Sequence, residues 1–244
     1  MSYIVVIPAR YKSSRLLGKP LVPLCGVPMI VRTYRQCIKA VSAQKVYVAT
    51  DDERINQLCL DMGIQVVMTP DTCLTGTDRV AAVAKNIIVD SYINVQGDEP
   101  LFNPDDLINL IAEAKNKPHE IINGYCEILE EDMFSNSSTP KVVIRGDGRL
   151  LYMSRAAIPT NKLQGFVSAK RQVCAYAFPR AALQVFSEVN AKTPLEAIED
   201  IEILRFLELG WEVRMIPMSD NSVAVDNPED ILRAEEKILA MGLT

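Results

Sequence analysis

Arg10, Lys12, Arg15 and Lys19 put four cations into one ten-residue stretch, interleaved with Ser13, Ser14 and Gly18. Charged nitrogens beside hydroxyl donors on a flexible backbone are the groups with which a loop holds phosphate. The spacing matches neither GxxxxGK(S/T) nor GxGxxG, and composition alone suits a solvated basic loop equally well. Asp98, in Asn94-Val-Gln96-Gly97-Asp98-Glu99-Pro100, offers a carboxylate next to a glycine, and Asp226, in Val223-Ala-Val-Asp226-Asn-Pro-Glu-Asp, offers a second. A phosphate pocket that also presents acid needs a divalent cation between the like charges, and Mg²⁺ is the expected ion. The competing readings are a turn residue capping the next helix for Asp98, and a helix N-cap shared with Asn227 for Asp226.

Three further groups have chemical potential. Thr75-Gly76-Thr77-Asp78-Arg79 opens a helix, so its backbone donors and Arg79 suit a nucleotide's polar atoms; capping by Thr77 or Asp78 is the alternative. Ser154-Arg155 follows an apolar run and can aim a guanidinium at a carboxylate substrate or at a surface partner. Glu202 lies in an apolar and acidic stretch that reads as a helix, where a glutamate is ordinarily solvated.

Several chemistries are excluded. His119 is the single histidine and sits in a polar, loop-like stretch, so a multi-histidine zinc site is ruled out and a Ser-His-Asp triad is open only through that residue. The six cysteines contain no CxxC pair, which fits reduced, buried thiols. A net charge of −5 opposes a broad nucleic-acid surface. Charge is nevertheless uneven, because residues 1–50 hold eight of the 26 cations and none of the 31 acids. No apolar run approaches the ~18 residues of a membrane span, and no signal-type start is visible, so no membrane partner and a cytoplasmic location are expected.

These groups require a scaffold, and 244 residues with 48% hydrophobic content can bury one. Tyr3 to Ala9 is the continuous apolar run of a strand buried on both faces, and 29–41 carries helical apolar spacing. Strands at 45–50, 65–69 and 92–96 then alternate with helices at 55–62 and 78–86, the rhythm of a doubly wound, mostly parallel α/β sheet. Beyond Gly97 the pattern loosens: a helix at 103–115, strand-like runs at 121–128, 141–145 and 172–178, and longer connections at 129–140 and 160–171. Thr193-Pro-Leu-Glu196 is a capping box predicting one helix that Gly210 stops, and Asn227-Pro-Glu-Asp230 starts a last helix through about Met241. The expectation is a single domain over 1–244 with an inserted mixed α/β lobe at 121–185.

The motifs Ile7-Pro-Ala-Arg10, Ser14-Arg15-Leu16, Gly18-Lys19-Pro20-Leu21, Val48-Ala-Thr-Asp51, Gly76-Thr-Asp-Arg79, Asn94-Val-Gln-Gly-Asp98-Glu-Pro100, Ser154-Arg155, Ile158-Pro159, Thr193-Pro-Leu-Glu196 and Val225-Asp226-Asn-Pro-Glu-Asp230 occur together. In this combination the chain resembles the 3-deoxy-manno-octulosonate cytidylyltransferases, from Val5 to about Leu232. The resemblance implies a Rossmann-like nucleotide-diphospho-sugar transferase fold, CTP and an acidic eight-carbon sugar as partners, Mg²⁺ as cofactor, a homodimer, and a place in lipopolysaccharide or surface polysaccharide synthesis. It implies that Arg15, Lys19 and Asp98 are catalytic, and that Ala9, Arg10, Ser14, Arg15, Lys19, Thr77, Arg79 and Gln96 bind the nucleotide. Gln96, Arg155, Gln172, Tyr176 and Glu202 would line the sugar pocket, with Asp98 and Asp226 on the metal. Other readings are CMP transfer to a modified ulosonate, and a silent nucleotide-binding protein. The chain departs from the family at Leu17, where a proline is usual, at Gln172-Val-Cys-Ala-Tyr176-Ala-Phe178, where a histidine begins the motif, and at Ile203, where a glutamine is usual.

Overall fold

The structure, a computed structural model, describes residues 1–13, 15–220 and 222–243. Strand β1 (Tyr3–Ala9) is followed by the basic loop and by a small antiparallel pair, β2 (Pro23–Leu24) and β3 (Val27–Pro28). Helix α1 (Met29–Ala40) leads to β4 (Val46–Thr50), α2 (Glu53–Asp61), β5 (Gln65–Met68), α3 (Gly76–Asn86), β6 (Ser91–Val95) and α4 (Pro104–Asn116). The chain then makes β7 (Ile121–Ile128), the short α5 (Glu131–Ser135), the hairpin β8 (Lys141–Ile144) and β9 (Leu150–Ser154), β10 (Ala169–Pro179) and α6 (Arg180–Glu188). Helices α7 (Pro194–Glu199) and α8 (Ile203–Glu208), strand β11 (Val213–Pro217) and helix α9 (Pro228–Ala240) complete it.

Among the described residues the main sheet has nine strands, ordered β11-β7-β10-β6-β1-β4-β5 with β8 on β10 and β9 on β8. Pairings around β1 and between β7 and β11 are parallel, whereas β10 runs antiparallel to its three neighbours, β6, β7 and β8. Apolar side chains leave both faces. Val5, Ile7, Ile93 and Val95 pack under α1 and α4, while Ile4, Val6, Tyr92 and Phe178 pack under α3, α6 and α8. Burial on both sides is why β1 reads as an unbroken apolar run.

The segment expected as an inserted lobe is narrower than 121–185, because β7 and β10 lie inside the main sheet and α6 covers its face. Between β7 and β10 the hairpin β8–β9 still joins the sheet, through β8 on β10, so only the connections flanking that hairpin stand off. These connections pack on each other through Phe134 and Phe166, with ring centres 5.0 Å apart.

The helix expected from Thr193 to Gly210 is two helices. Its capping box forms, with Thr193 N donating to Glu196 Oε2 at 3.2 Å, but Asp200 turns left-handed at φ 51° and ends the first helix. Few residues other than glycine, asparagine and aspartate adopt that conformation readily, so the break falls where the sequence tolerates it. Fully buried Arg205 on α8 then reaches back to Glu196 at 2.6 and 2.7 Å and across to Asp78 Oδ1 at 2.9 Å. Asp78 also closes the α3 capping box with Thr75, so this cluster fastens the helix pair to the start of α3. Glu196→Ala strands a buried guanidinium, and a loss of about 3–5 kcal/mol in unfolding free energy is expected. Denaturant titration checks it; an unchanged midpoint would show that the cluster carries no stability.

Candidate functional site

A cavity of about 500 Å³ opens where β1 and β6 end, and its wall includes Pro8, Ala9 and Arg10 after β1 and Gln96, Gly97 and Asp98 after β6. Strands β4 and β6 lie on opposite sides of β1, so the order of the chain reverses there. Such a switch point leaves a crevice at the carboxyl ends of the strands. Closure is tight at the floor: a Cβ on Gly97 would lie 2.7 Å from the Pro8 carbonyl oxygen.

The basic loop folds over this crevice through a turn at Gly18, whose φ of +68° favours glycine and whose N–H donates to Tyr11 O at 2.9 Å. The turn brings Lys19 inward. Its Nζ donates to Asp98 Oδ2 at 2.6 Å and to Asp226 Oδ1 at 3.1 Å, and Arg15 joins Asp226 at 2.8 Å. Burial works against the Lys19 ammonium, but the two carboxylates outweigh it and hold its pKa above the ordinary value. Asp226 reaches this point because Val225 N donates to Asp98 O at 3.0 Å, pinning the two segments together. Neither aspartate is merely a cap: Asn103 caps α4, and the Asn227 side chain caps α9. Ser14 lies outside the described residues.

Two hard oxygen donors thus converge on one positive charge. Among the described residues no group of three or more His, Cys, Asp and Glu gathers as a metal cage. Mg²⁺ is commonly held by one or two carboxylates, with water and substrate phosphates completing its shell, and Lys19 Nζ already marks a point where both carboxylates accept a cation. The residues therefore fit that ion.

The start of α3 forms a second wall with Thr75, Gly76 and Arg79. Thr77 differs from its expected role, because its side chain is fully buried and its backbone N–H donates to Glu202 Oε2 at 2.9 Å. The cap of α3 is Thr75. Arg79 lines the cavity but is committed on its inner side, to Thr69 Oγ1 at 2.5 Å and Asp51 at 3.3 Å. Glu202, expected on a solvated helix face, is partly buried in the cavity wall just before α8. It accepts Gln96 Nε2 at 3.0 Å, and burial raises its pKa against the Thr77 amide that favours its charge. Ile203, where the family's glutamine is usual, is fully buried in the core.

The far wall carries Arg155, Gln172, Cys174, Tyr176, Lys192 and Asp200. Arg155 lies 4.0 Å from the Asp200 carboxylate and donates to the carbonyls of Glu199, Ser137 and Asp200 at 2.5, 3.0 and 2.9 Å. Three of its five N–H groups are thereby used, leaving two for a ligand. Lys141 fixes the same corner by donating to the carbonyls of Asn136 at 2.9 Å and Arg155 at 2.7 Å. Burial, and then nearby carboxylates, push the Cys174 thiol well above its ordinary pKa, so it is neutral in the wall.

The cytidylyltransferase family model matches residues 4–216. A 3-deoxy-manno-octulosonate cytidylyltransferase of Acidobacterium capsulatum is 37% identical over 98% of this chain and 97% of its own. The enzyme of that name from Escherichia coli is 35% identical over 92% and 91%. A solved structure of CMP:2-keto-3-deoxy-manno-octonic acid synthetase complexed with CTP superposes with a TM-score of 0.90 at 32% identity, covering 99% of this chain and 100% of that one. The chain belongs to the cytidylyltransferase family. It is a nucleotidyltransferase.

In this cytidylyltransferase the structure gathers twelve expected site residues around one cavity: Ala9, Arg10, Arg15, Lys19, Arg79, Gln96, Asp98, Arg155, Gln172, Tyr176, Glu202 and Asp226. Sequence reading missed Cys174, Lys192, Asp200, Lys141 and the strand residue Asn123. Cys174 had a signal, lying midway between Gln172 and Tyr176 on one strand; the others are brought in by turns and distant pairings without a local mark. Gly97→Ala places a methyl group against backbone, so a loss of about 1–3 kcal/mol and a weaker nucleotide affinity are expected. Thermal unfolding and CTP titration check both; a variant matching the parent in both would mean that the Pro8 strand end yields freely.

Proposed function

We propose that this cytidylyltransferase transfers CMP from CTP to 3-deoxy-manno-octulosonate, an acidic eight-carbon sugar, and releases pyrophosphate. The sugar's anomeric oxygen attacks the α-phosphorus in line; its O–H proton passes to solvent water, the new P–O bond forms, and the bond to the bridging oxygen breaks with its electrons on pyrophosphate. The observation that carries the reading is Lys19 between Asp98 and Asp226 beneath a basic loop, at the mouth of the switch-point crevice. Positioning and neutralisation of developing charge are the main demands of phosphoryl chemistry, and a site without histidine can meet them.

In this reading Arg10, Ser14, Arg15 and Lys19 hold the triphosphate, and Arg15 and Lys19 stabilise the departing pyrophosphate. Ala9, the Thr77 region, Arg79 and Gln96 shape the nucleotide end. Arg155, with two N–H groups to spare, takes the sugar carboxylate; Gln172, Tyr176 and Glu202 take its hydroxyls. Asp98 and Asp226 would hold Mg²⁺, which when bound neutralises phosphate charge and draws electrons from the α-phosphorus.

The same reading puts the protein in the cytoplasm, in lipopolysaccharide or surface polysaccharide synthesis. It makes it a homodimer through the stretch between β7 and β10, where Leu129, Leu163 and Val167 are 79%, 90% and 73% exposed. No helix among the described residues is long and apolar enough to cross a membrane. A silent nucleotide-binding protein is disfavoured, because mere binding has no need for both aspartates and the Lys19 clamp.

The test is pyrophosphate release from CTP and Mg²⁺ with the sugar, against a control without sugar. Release only with the sugar is expected; CTP binding without release would overturn the reading. Asp98→Asn should abolish turnover with the fold retained, and near-normal activity would remove Asp98 from the metal. Lys19→Ala should lower kcat by about 10²- to 10³-fold, more than it raises the KM for the sugar. The opposite split would move Lys19 into the sugar subsite.

A further inference from the structure

A bulge makes an unusual polar arrangement at the deep end of the cavity. Between Val173 and Tyr176 the register of β10 slips against β7, so that Val173 faces Gly124 and Tyr176 faces Asn123. The slip inserts two residues, which preserves the alternation of faces and turns Gln172, Tyr176 and Asn123 toward the same side. The fully buried Asn123 then donates both amide hydrogens of Nδ2, to Val173 O and Ala175 O, each at 2.9 Å.

Carbonyls can only accept, so Asn123 must present Oδ1 to its next neighbour, and only a donor suits it. That neighbour is Gln172, whose Nε2 lies 3.0 Å from Asn123 Oδ1 and 3.0 Å from the Tyr176 hydroxyl oxygen. Both hydrogens of the Gln172 amide are thereby spent. No side-chain hydrogen bond among the described residues ends on its Oε1, and the side chain lines the cavity at 7% exposure. A flipped amide would set two carbonyl oxygens against each other, so the orientation is locked.

We infer that Gln172 is a specificity-determining residue: it offers the acidic sugar an acceptor and nothing else, and so requires a hydrogen-bond donor on the group that reaches it. A hydroxyl and an ammonium both satisfy that requirement. A keto, deoxy or O-methyl group does not, and leaves a desolvated carbonyl unpaired. The neutral thiol of Cys174 and the carboxyl of Glu202 line the same wall.

The inference rests on the proposed reaction and deepens its sugar subsite. The experiment is pyrophosphate release by the full chain with CTP and Mg²⁺, using 3-deoxy-manno-octulosonate, its amino-substituted counterparts, and single-position deoxy and O-methyl analogues. Parent protein is compared with Gln172→Met, which fills similar space without polar groups, and with Gln172→His, which keeps a donor for Asn123 and one acceptor nitrogen. At one sugar position, loss of the donor should raise the KM for the sugar about 10- to 100-fold in the parent. That penalty should vanish in Gln172→Met and persist in large part in Gln172→His, with the KM for CTP changed less than about twofold. Should Gln172→Met not fold, Gln172→Leu takes its place: loss of the penalty at that position supports the inference, and its persistence overturns it.

Turnover of the parent sugar with no position-dependent penalty tied to residue 172 overturns the inference and leaves the proposed function standing. Turnover of an amino-substituted sugar alone, with the penalty present, overturns the proposed acceptor and supports the donor requirement. Absence of release with every sugar overturns both.

Discussion

Two aspartates drawn from segments far apart in the chain share one ammonium, and the site is arranged around that charge balance. Asp98 and Asp226 repel each other, so they can stand together in a partly enclosed crevice only with a cation between them. Lys19 supplies it at 2.6 and 3.1 Å, on a loop bent inward by Gly18. The Val225-to-Asp98 backbone bond and the side chain of Arg15 hold the arrangement from either side. A ligand carrying several negative charges and its own divalent cation can exchange partners with this cluster without leaving any member uncompensated.

Around that centre the polar side chains are immobilised before any ligand arrives. Asn123 holds Gln172, the Thr77 amide and Gln96 hold Glu202, and Lys141 and three carbonyls hold the corner at Arg155. Glu99, beside Asp98, is buried, and burial together with the Asp98 charge pushes its carboxyl up to about 7 against the Ser222 hydroxyl that donates to it. That contact, with Asp106 on Ser219, tethers the segment that delivers Asp226. Electrostatic preorganisation of this kind is what phosphoryl and acyl chemistry exploit, because dipoles already aimed need not reorient during reaction.

The helical region around Glu202 and the wall at Gln172 mark the boundary of what local reading can reach. The Thr193 capping box was legible because a cap depends on residues three apart. The left-handed Asp200 was not, because periodicity continues across it and the buried Arg205, which joins Glu196 and Asp78 across the break, carries no local mark. The same break lifts Glu202 out of a solvated face and into the cavity. Similarly, the resemblance at Gln172 named a sugar-facing position, but its chemical sense came from Asn123, 49 residues away.

The sequence by itself determined the alternation of strands and helices, the buried core strands, the basic loop and the motifs that carry the family, since each depends on neighbours or on short spacings. Tertiary structure decided which charges meet, that Asp98 and Asp226 share Lys19, that Arg79 is half committed to Asp51, that β7 and β10 enter the main sheet, and which way the Gln172 amide points. Those outcomes depend on pairing between distant segments, where burial removes water as an alternative partner and each polar group must find another within the fold.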